Sequence, residues 1–320
     1  MELLAQAGMA LLASVHLVLV GQGTFGPLLA LHLHLRGNRE SWNEALEVSA
    51  RIVRISVHAF WGVVLTGLLM LGLYFRPGSS AEQLHPILEG LKVLPHRRLA
   101  FGVVELLFTL LCLELALWGW RRWRAGWLYL LLVLGATNLL WHFPPLFTAM
   151  VVAAGRPELW GQELSYQETL ALFAQGETVA RVLHALLAAL IAAVAVSSWL
   201  LLPRPKEQGS QIAGDGEEMP PAAKRIAVAW GRLGLVAGLL QIPVGVWLLM
   251  VLPEQTQRAL MSGNWAATGT WLAGLVVALP LWHTQAAWAL GEVNRATLKR
   301  CLFLLGLVVW LMLLADHLCR

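Results

Sequence analysis

Long apolar blocks with almost no charge constrain this chain more than any other feature of its sequence. Eight such blocks recur along the 320 residues. Each is roughly 20 residues or longer, the length at which a helix crosses the apolar core of a bilayer. Because lipid cannot hydrogen-bond the backbone, the blocks predict helices rather than open strands. The overall charged fraction of 13% agrees with this class, since soluble domains are about a quarter charged.

We therefore predict an all-α integral membrane protein with about eight transmembrane helices in two bundles. A stretch rich in Pro, Gly and charge, 203–225, has the composition of a flexible cytoplasmic linker. It separates a five-helix region, 1–202, from a three-helix region, 226–320. The predicted spans are 4–34, 54–75, 99–120, 125–153, 178–202, 226–252, 266–291 and 299–318.

The basic residues are shared unequally between the two sides of the predicted helices. Fifteen of the 23 lysines and arginines lie in or beside the loops on one side, the side of the linker. The side richer in Lys and Arg normally faces the cytoplasm, so both termini are predicted to be periplasmic in a bacterial inner membrane. The basic residues form no continuous stripe, which argues against nucleic acid as a partner.

Six of the ten histidines lie inside predicted spans, where a ligand-capable side chain is costly and indicates function. Counting residues along each helix places four of them at similar depth in the outer half and two nearer the cytoplasmic side. Haem b takes axial ligands from side chains that project into a helix bundle, commonly histidine. The candidate haem ligands are His16, His142, His184 and His317 in the outer half, with His58 and His283 further in.

The alternative for each of these histidines is a structural hydrogen bond to a neighbouring helix. The remaining four, His32, His34, His85 and His96, are interpreted as surface or interface residues. The three cysteines form no Cys-x-x-Cys-His motif, which excludes covalently attached c-type haem.

Three further polar residues lie near these candidates. Arg181 precedes His184 by one helical turn and could bind a haem propionate in bidentate fashion. Glu105 and Glu114 lie inside one apolar span, where a carboxylate must be paired, hydrated or protonated. They are candidates for a proton route, and the alternative is polar contact between helices. Pro144 and Pro145 predict a kink just beyond His142.

The first five spans resemble subunit I of cytochrome bd-type quinol oxidases, the haem-bearing subunit. The resemblance follows sequence order over residues 1–202. The segments that carry it are Ala13-Ser-Val-His16, Gly62-Val-Val-Leu-Thr-Gly67, the third-span acids with Trp118-Gly-Trp120, Leu134-Gly-Ala-Thr-Asn138, and Arg181 followed by His184-Ala-Leu-Leu.

The resemblance implies a haem-bearing electron-transfer subunit of a respiratory complex, with an oxidoreductase role of the quinol oxidase type where it is an enzyme. His16 resembles an axial ligand in the oxygen-reducing haem pair, and His184 resembles the ligand of a low-spin haem b. Glu105 and Glu114 resemble the acids linked to proton delivery. The implied cofactor is haem b, one to three per chain; haem d belongs to the family but no residue here supports it. The implied partners are other membrane subunits, quinone and the bilayer.

The sequence also departs from that family. The segment 252–265 is too short for the family's quinol-binding loop, and the last helix carries no Glu ligand. His142 and His317 are candidate replacement ligands. Two other functions therefore stay open: a haem A synthase-like enzyme, although Ile55-Ser-Val-His58 lacks its Glu-x-x-His-Arg pattern, and a structural membrane subunit without cofactors.

Overall fold

The computed structural model describes residues 2–74, 81–120, 122, 125–202 and 219–319. In chain order its helices are α1 (Glu2–Glu40), α2 (Asn43–Tyr74), α3 (Ala81–Val93), α4 (His96–Gly119), α5 (Ala125–Ala154), a 3₁₀ turn (Pro157–Leu159), α6 (Tyr166–Phe173), α7 (Gly176–Leu201), α8 (Pro221–Val251), α9 (Glu254–Arg258), a π-helical turn (Ala259–Gly263), α10 (Trp265–Ala289) and α11 (Arg295–Leu318).

Eight of these helices, α1, α2, α4, α5, α7, α8, α10 and α11, are long and apolar enough to cross a membrane. The prediction of an all-α multi-pass membrane protein is confirmed. Two helices extend well beyond their predicted spans, because charged residues continue the helix past the apolar block. α1 runs to Glu40 and α2 begins at Asn43, with only a short turn through Ser41 between them.

The alternating helices define two ends of the bundle. We call the end with the α1–α2 turn and the α10–α11 turn the linker face, and the end with α3, α6 and α9 the short-helix face. Most of the predicted linker, 203–225, lies outside the described residues. So do six of the basic residues used to predict orientation and the side chain of His85. The orientation of the termini stays a prediction.

Helices α1 and α7 form the centre of the bundle. α1 packs against α2, α5, α7 and α11, and α7 also packs against α5, α8 and α11. The two central helices touch closely at Gly21, where an added Cβ would overlap the carbonyl of Ala189. Small residues at such crossings allow helix backbones to approach in membrane proteins. α4 lies at the edge, against α5 and α2.

One apolar core runs through the five-helix and three-helix regions. It joins Leu33 and Ile52 of the first region to Trp288 and Leu298 of the second. The fully buried Trp288 indole donates a hydrogen bond to the Ala227 carbonyl at 2.8 Å. The two predicted regions are therefore successive in sequence but packed around a common centre.

A smaller apolar cluster closes the short-helix face beside α5. α3 lies close to the end of α5, since a Cβ at Gly90 would be 2.6 Å from the Met150 carbonyl oxygen. The Leu164 amide donates to the Val93 carbonyl at 2.9 Å, and both side chains are buried in this cluster. The segment between α5 and α7 is thereby held over one end of the bundle.

Candidate functional site

The contact between Gly21 and Ala189 fixes the relative height of two candidate histidines. His16 lies five residues before Gly21 on α1, and His184 lies five residues before Ala189 on α7. Both helices run from the short-helix face toward the linker face. Because helices of the same direction rise equally per residue, His16 and His184 lie at the same level on the two central helices.

The His16 ring is turned toward α2. Its Nδ1 lies 2.8 Å from the Thr66 hydroxyl oxygen, and that hydroxyl donates to the Gly62 carbonyl at 2.7 Å. Since the threonine proton is used by the carbonyl, Thr66 accepts from the imidazole, which assigns the histidine proton to Nδ1. The lone pair of Nε2 is then available, as in a metal-ligating histidine whose other nitrogen is held by a partner.

The His184 ring is turned the other way, toward α8. Its Nδ1 is buried and makes no hydrogen bond within the described part of the chain. The facing residue is Gly245, where an added Cβ would lie 3.4 Å from Cε1 and 3.7 Å from Nδ1 of the imidazole. Gln241 donates to the His184 carbonyl at 3.0 Å, so it bonds the backbone of His184 and not Nδ1 of the ring.

The two histidines therefore lie at two different helix interfaces, which we call the two clefts: one between α1 and α2 and one between α7 and α8. Each cleft can offer one axial imidazole, rather than both rings sharing one metal. Among the described residues, no group of three or more His, Cys, Asp or Glu side chains could hold a bare metal ion. Haem needs only one or two axial side chains, because the macrocycle supplies the other ligands.

An ion cluster lies one turn from His184, toward the short-helix face. The buried Glu177 carboxylate accepts from Arg156 at 3.2 Å and from Arg181 at 3.1 Å. Arg181 also forms an ion pair with Asp316 at 3.6 Å. The predicted propionate partner Arg181 is thus already bound by two carboxylates of the chain. The Glu177–Arg181 pair has the i,i+4 spacing of a helical ion pair and was recognisable in the sequence. The contacts with Arg156 and Asp316 were not, because they join α7 to the end of α5 and to α11.

His142 and His317 occupy other positions. The His142 ring packs edge-to-face on Phe101 of α4, with 5.8 Å between ring centroids, so it faces the edge of the bundle. His317 follows Asp316, which is level with Arg181. His317 therefore lies roughly one helical turn, about 5 Å, nearer the short-helix face than His184. The structure does not bring these two rings together with His16 and His184.

The inner candidates are exposed. The His58 ring donates from Nδ1 to the Arg54 carbonyl at 2.7 Å, one turn back on α2, and its side chain faces outward. His283 on α10 is also exposed. Both lie on the outer surface of the bundle, where lipid or another subunit would contact them.

The two third-span acids lie on opposite sides of α4. Glu105 is half-buried and Glu114 is exposed, because nine residues correspond to about two and a half turns. A proton route that used both would have to pass around the helix. The polar contact between α4 and α5 is made instead by Asn138, which donates to the Glu105 carbonyl at 3.0 Å and to the Thr109 hydroxyl at 3.1 Å.

The eight-helix bundle with histidines on its two central helices defines a polytopic membrane protein with ligand-capable residues in the membrane. Its fold is that of a bd oxidase. The structure of the bd oxidase from Geobacillus thermodenitrificans matches with a TM-score of 0.66 over 99% of this chain and 85% of that chain, at 14% sequence identity. The resemblance predicted from residues 1–202 is confirmed at the level of fold, and it extends through the three C-terminal helices. No family model and no curated protein sequence matches the chain.

Proposed function

We propose that this chain is a haem b-binding electron-transfer subunit of a respiratory complex in a bacterial cytoplasmic membrane. The observation that carries the proposal is Nδ1 of His184, which is buried in a membrane-spanning helix without a hydrogen-bond partner among the described residues, in a ring that faces a glycine. An unpaired buried polar atom costs roughly 1–3 kcal/mol. Axial ligation through this nitrogen would remove that cost, and the bd oxidase fold supports this use of the residue.

The residues present fit haem at two places. His184 would be the axial residue between α7 and α8, and His16 would be the axial residue between α1 and α2. Thr66 holds the His16 ring in the tautomer that leaves Nε2 free. Haem supplies reversible one-electron transfer when bound, and the protein sets its potential through axial ligand, hydrogen bonds and burial.

The ion cluster holds the charged side chains that lie closest to His184 along α7. Arg156, Arg181, Glu177 and Asp316 carry two positive and two negative charges, so the cluster is neutral by itself. A propionate at this position would join Arg181 in competition with Asp316, the longer of its two carboxylate contacts. The cluster would thus hold a haem edge without a net change in the fold of α7.

We also propose that the chain exchanges electrons with partner subunits and quinone. The outward faces of α2 and α4 expose large apolar side chains, among them Trp61, Leu68, Leu107 and Trp118. Such surfaces suit either lipid or another membrane subunit. A haem subunit that transfers electrons needs a donor and an acceptor, and we propose that partner subunits and quinone take these roles.

The test is haem content per chain with four single alanine variants of the purified full-length protein. The wild type should show a reduced b-type α-band. His16→Ala and His184→Ala should each remove haem from one cleft, lowering haem per chain stepwise. His58→Ala and His283→Ala are matched controls, because both side chains are exposed on spanning helices, and should leave the haem content unchanged.

Absence of haem from the purified wild type, by spectrum and by extraction, would contradict the proposal. Unchanged haem and stability in both His16→Ala and His184→Ala would favour a structural subunit whose histidines serve only packing. Haem loss confined to the two controls would move the sites to the surface of the bundle.

A further inference from the structure

A basic groove opens at the linker face, at the opposite end of α7 from His184. It encloses about 400 Å³ and is lined by three arginines, Arg51 and Arg54 of α2 and Arg295 of α11, together with Trp199 of α7. Ile55, Leu200 and Leu202 complete its wall. None of the described residues that line it is acidic.

The fold holds the basic side chains in place. The Arg51 guanidinium donates to the Leu200 carbonyl at 3.4 Å. The Arg295 guanidinium lies over the Trp199 ring, 5.3 Å from its centroid, and the Lys299 ammonium lies 5.7 Å from the same centroid. Arg295 is also the first residue of α11, where the helix dipole adds partial positive charge. The groove therefore concentrates cationic groups from two helices around one indole.

The position of the groove identifies the kind of anion that fits. It lies where α7 ends and α11 begins, beside Arg51–Ile55 about two to three turns into α2, near the start of the apolar block predicted for that helix. This is the level of lipid head groups for helices that cross a bilayer. Its apolar wall is formed by Ile55, Leu200 and Leu202. Basic pockets between spanning helices bind phospholipid head groups, and tryptophan is favoured at this interface.

We propose that this groove binds an anionic phospholipid. The lipid phosphate would contact Arg51, Arg54 and Arg295, and an acyl chain would lie along Ile55 and Leu200. A free phosphate shares the charge but cannot use the apolar wall. The proposal concerns a different end of the molecule from the haem clefts and does not depend on haem.

The experiment measures lipid binding to the purified, detergent-solubilised full chain by native mass spectrometry. The probes are phosphatidylglycerol and phosphatidylcholine with the same acyl chains, and inorganic phosphate is added separately as a competitor. Phosphatidylglycerol should bind more tightly than phosphatidylcholine. Arg54→Gln and Arg295→Gln should each weaken it about fivefold, since one basic residue near an anionic surface contributes about 1 kcal/mol. Both variants keep the Arg51 bond that supports the fold.

Arg300→Gln is the matched control, because Arg300 is an exposed arginine of α11 outside the groove; it should bind phosphatidylglycerol as the wild type does. Equal binding of the two lipids, or equal losses in Arg300→Gln and Arg295→Gln, would overturn the proposal. Complete displacement of the lipid by millimolar inorganic phosphate would show a general anion site and would overturn its assignment to a lipid.

Discussion

At the scale of single residues, His16 and His184 lie at one level but are held differently. The His16 ring is oriented by a hydrogen-bond relay through Thr66 to the Gly62 carbonyl. The His184 ring has no such relay, and its position depends on packing against Gly245. Two substitutions on the facing helices therefore test the two clefts separately, without changing either histidine.

Thr66→Val removes the acceptor of the His16 proton while keeping the shape of the side chain. The imidazole Nδ1–H then loses its hydroxyl acceptor and keeps only the neighbouring Val63 carbonyl, which should destabilise the protein by roughly 1 kcal/mol, the lower end of the cost of an unmet hydrogen bond. The His16 ring should lose its fixed tautomer, so the haem assigned to that cleft should show a shifted spectrum or lower occupancy. Thermal unfolding and the reduced-minus-oxidised spectrum measure both effects.

Thr66→Ser keeps the hydroxyl and should behave like the wild type. Thr137→Val is a second control, because the Thr137 hydroxyl is exposed and donates only to carbonyls one turn back on α5. If Thr66→Val matched the wild type in stability and spectrum, the relay would have no role in holding His16.

Gly245→Leu should affect the other cleft. An alanine Cβ at this position would make ordinary contact with the His184 ring at 3.4 Å, whereas a leucine side chain would extend into the space beside the imidazole. Haem extraction should therefore show one haem fewer in Gly245→Leu, with the His16 signal retained, and full content in Gly245→Ala. Full haem content in Gly245→Leu would place the His184 ligand site away from α8.

At the scale of helices, α6 shows how a short element is stabilised outside the membrane. Ser165 and Glu168 form a capping box: the Glu168 carboxylate accepts from the Ser165 amide at 2.8 Å, and the Ser165 hydroxyl accepts from the Glu168 amide at 3.3 Å. Hydrogen bonds to the carboxylate, from the Ser165 hydroxyl and then from the Ser165 amide, stabilise its ionised form, so the pKa of Glu168 lies below its usual range.

The capping box predicts a pH dependence for α6. A carboxylate with a lowered pKa in the folded state stabilises that state above its ordinary pKa, and the contribution is lost as the pH falls through the folded pKa. After correction for the intrinsic pH dependence of exchange, hydrogen exchange of the α6 amides should therefore accelerate only at pH values below the normal glutamate range.

Ser165→Ala should show faster α6 exchange already at neutral pH, while Gln167→Ala, an exposed neighbour, should not. Equal protection in Ser165→Ala and the wild type would contradict this.

The helices also show what the sequence could predict. All eight spans were predictable because the bilayer selects long apolar blocks, but helix ends were not: hydropathy marks the lipid boundary, and α2 begins at Asn43 rather than near residue 54. The short helices α3, α6 and α9 were missed, although the Ser165-x-x-Glu168 pattern is a recognisable helix start.

For the candidate site, residue counting placed four histidines, His16, His142, His184 and His317, at one level. The structure places His16 and His184 level with each other and His317 about one turn nearer the short-helix face. The direction of each ring was not predictable, because it depends on which helix packs on which face. The contacts that set it involve residues far apart in sequence, Gly21 with Ala189 and His184 with Gly245. Asp316 was missed as a partner of Arg181 for the same reason, whereas Glu177 lies only four residues from Arg181.

At the scale of the whole molecule, the cluster of Arg156, Glu177, Arg181 and Asp316 joins three helices, α5, α7 and α11, at the short-helix face. Arg156 follows α5, Glu177 and Arg181 lie in the first turns of α7, and Asp316 lies in the last turn of α11. The cluster thus ties the five-helix region to the C-terminal region near the level of His184. Glu177 is its centre, because it bonds both arginines.

Glu177→Gln should destabilise the whole bundle. The substitution keeps the shape of the side chain but leaves Arg156 and Arg181 without their shared charge partner. Removing one member of a buried ion pair costs about 3–5 kcal/mol; we expect roughly 3 kcal/mol, the lower end, because the two arginine side chains remain 22–24% exposed. Thermal unfolding in detergent should show a lower midpoint. Glu163→Gln provides the control, because Glu163 is an exposed carboxylate on the same face and its ion pair is with His96.

The double variant Arg156→Gln/Glu177→Gln should lose less stability than the two single losses added together, since one unpaired charge is removed with the other. An unfolding midpoint of Glu177→Gln equal to that of Glu163→Gln would show that the apolar core, and not the ion cluster, holds the two regions together at the short-helix face.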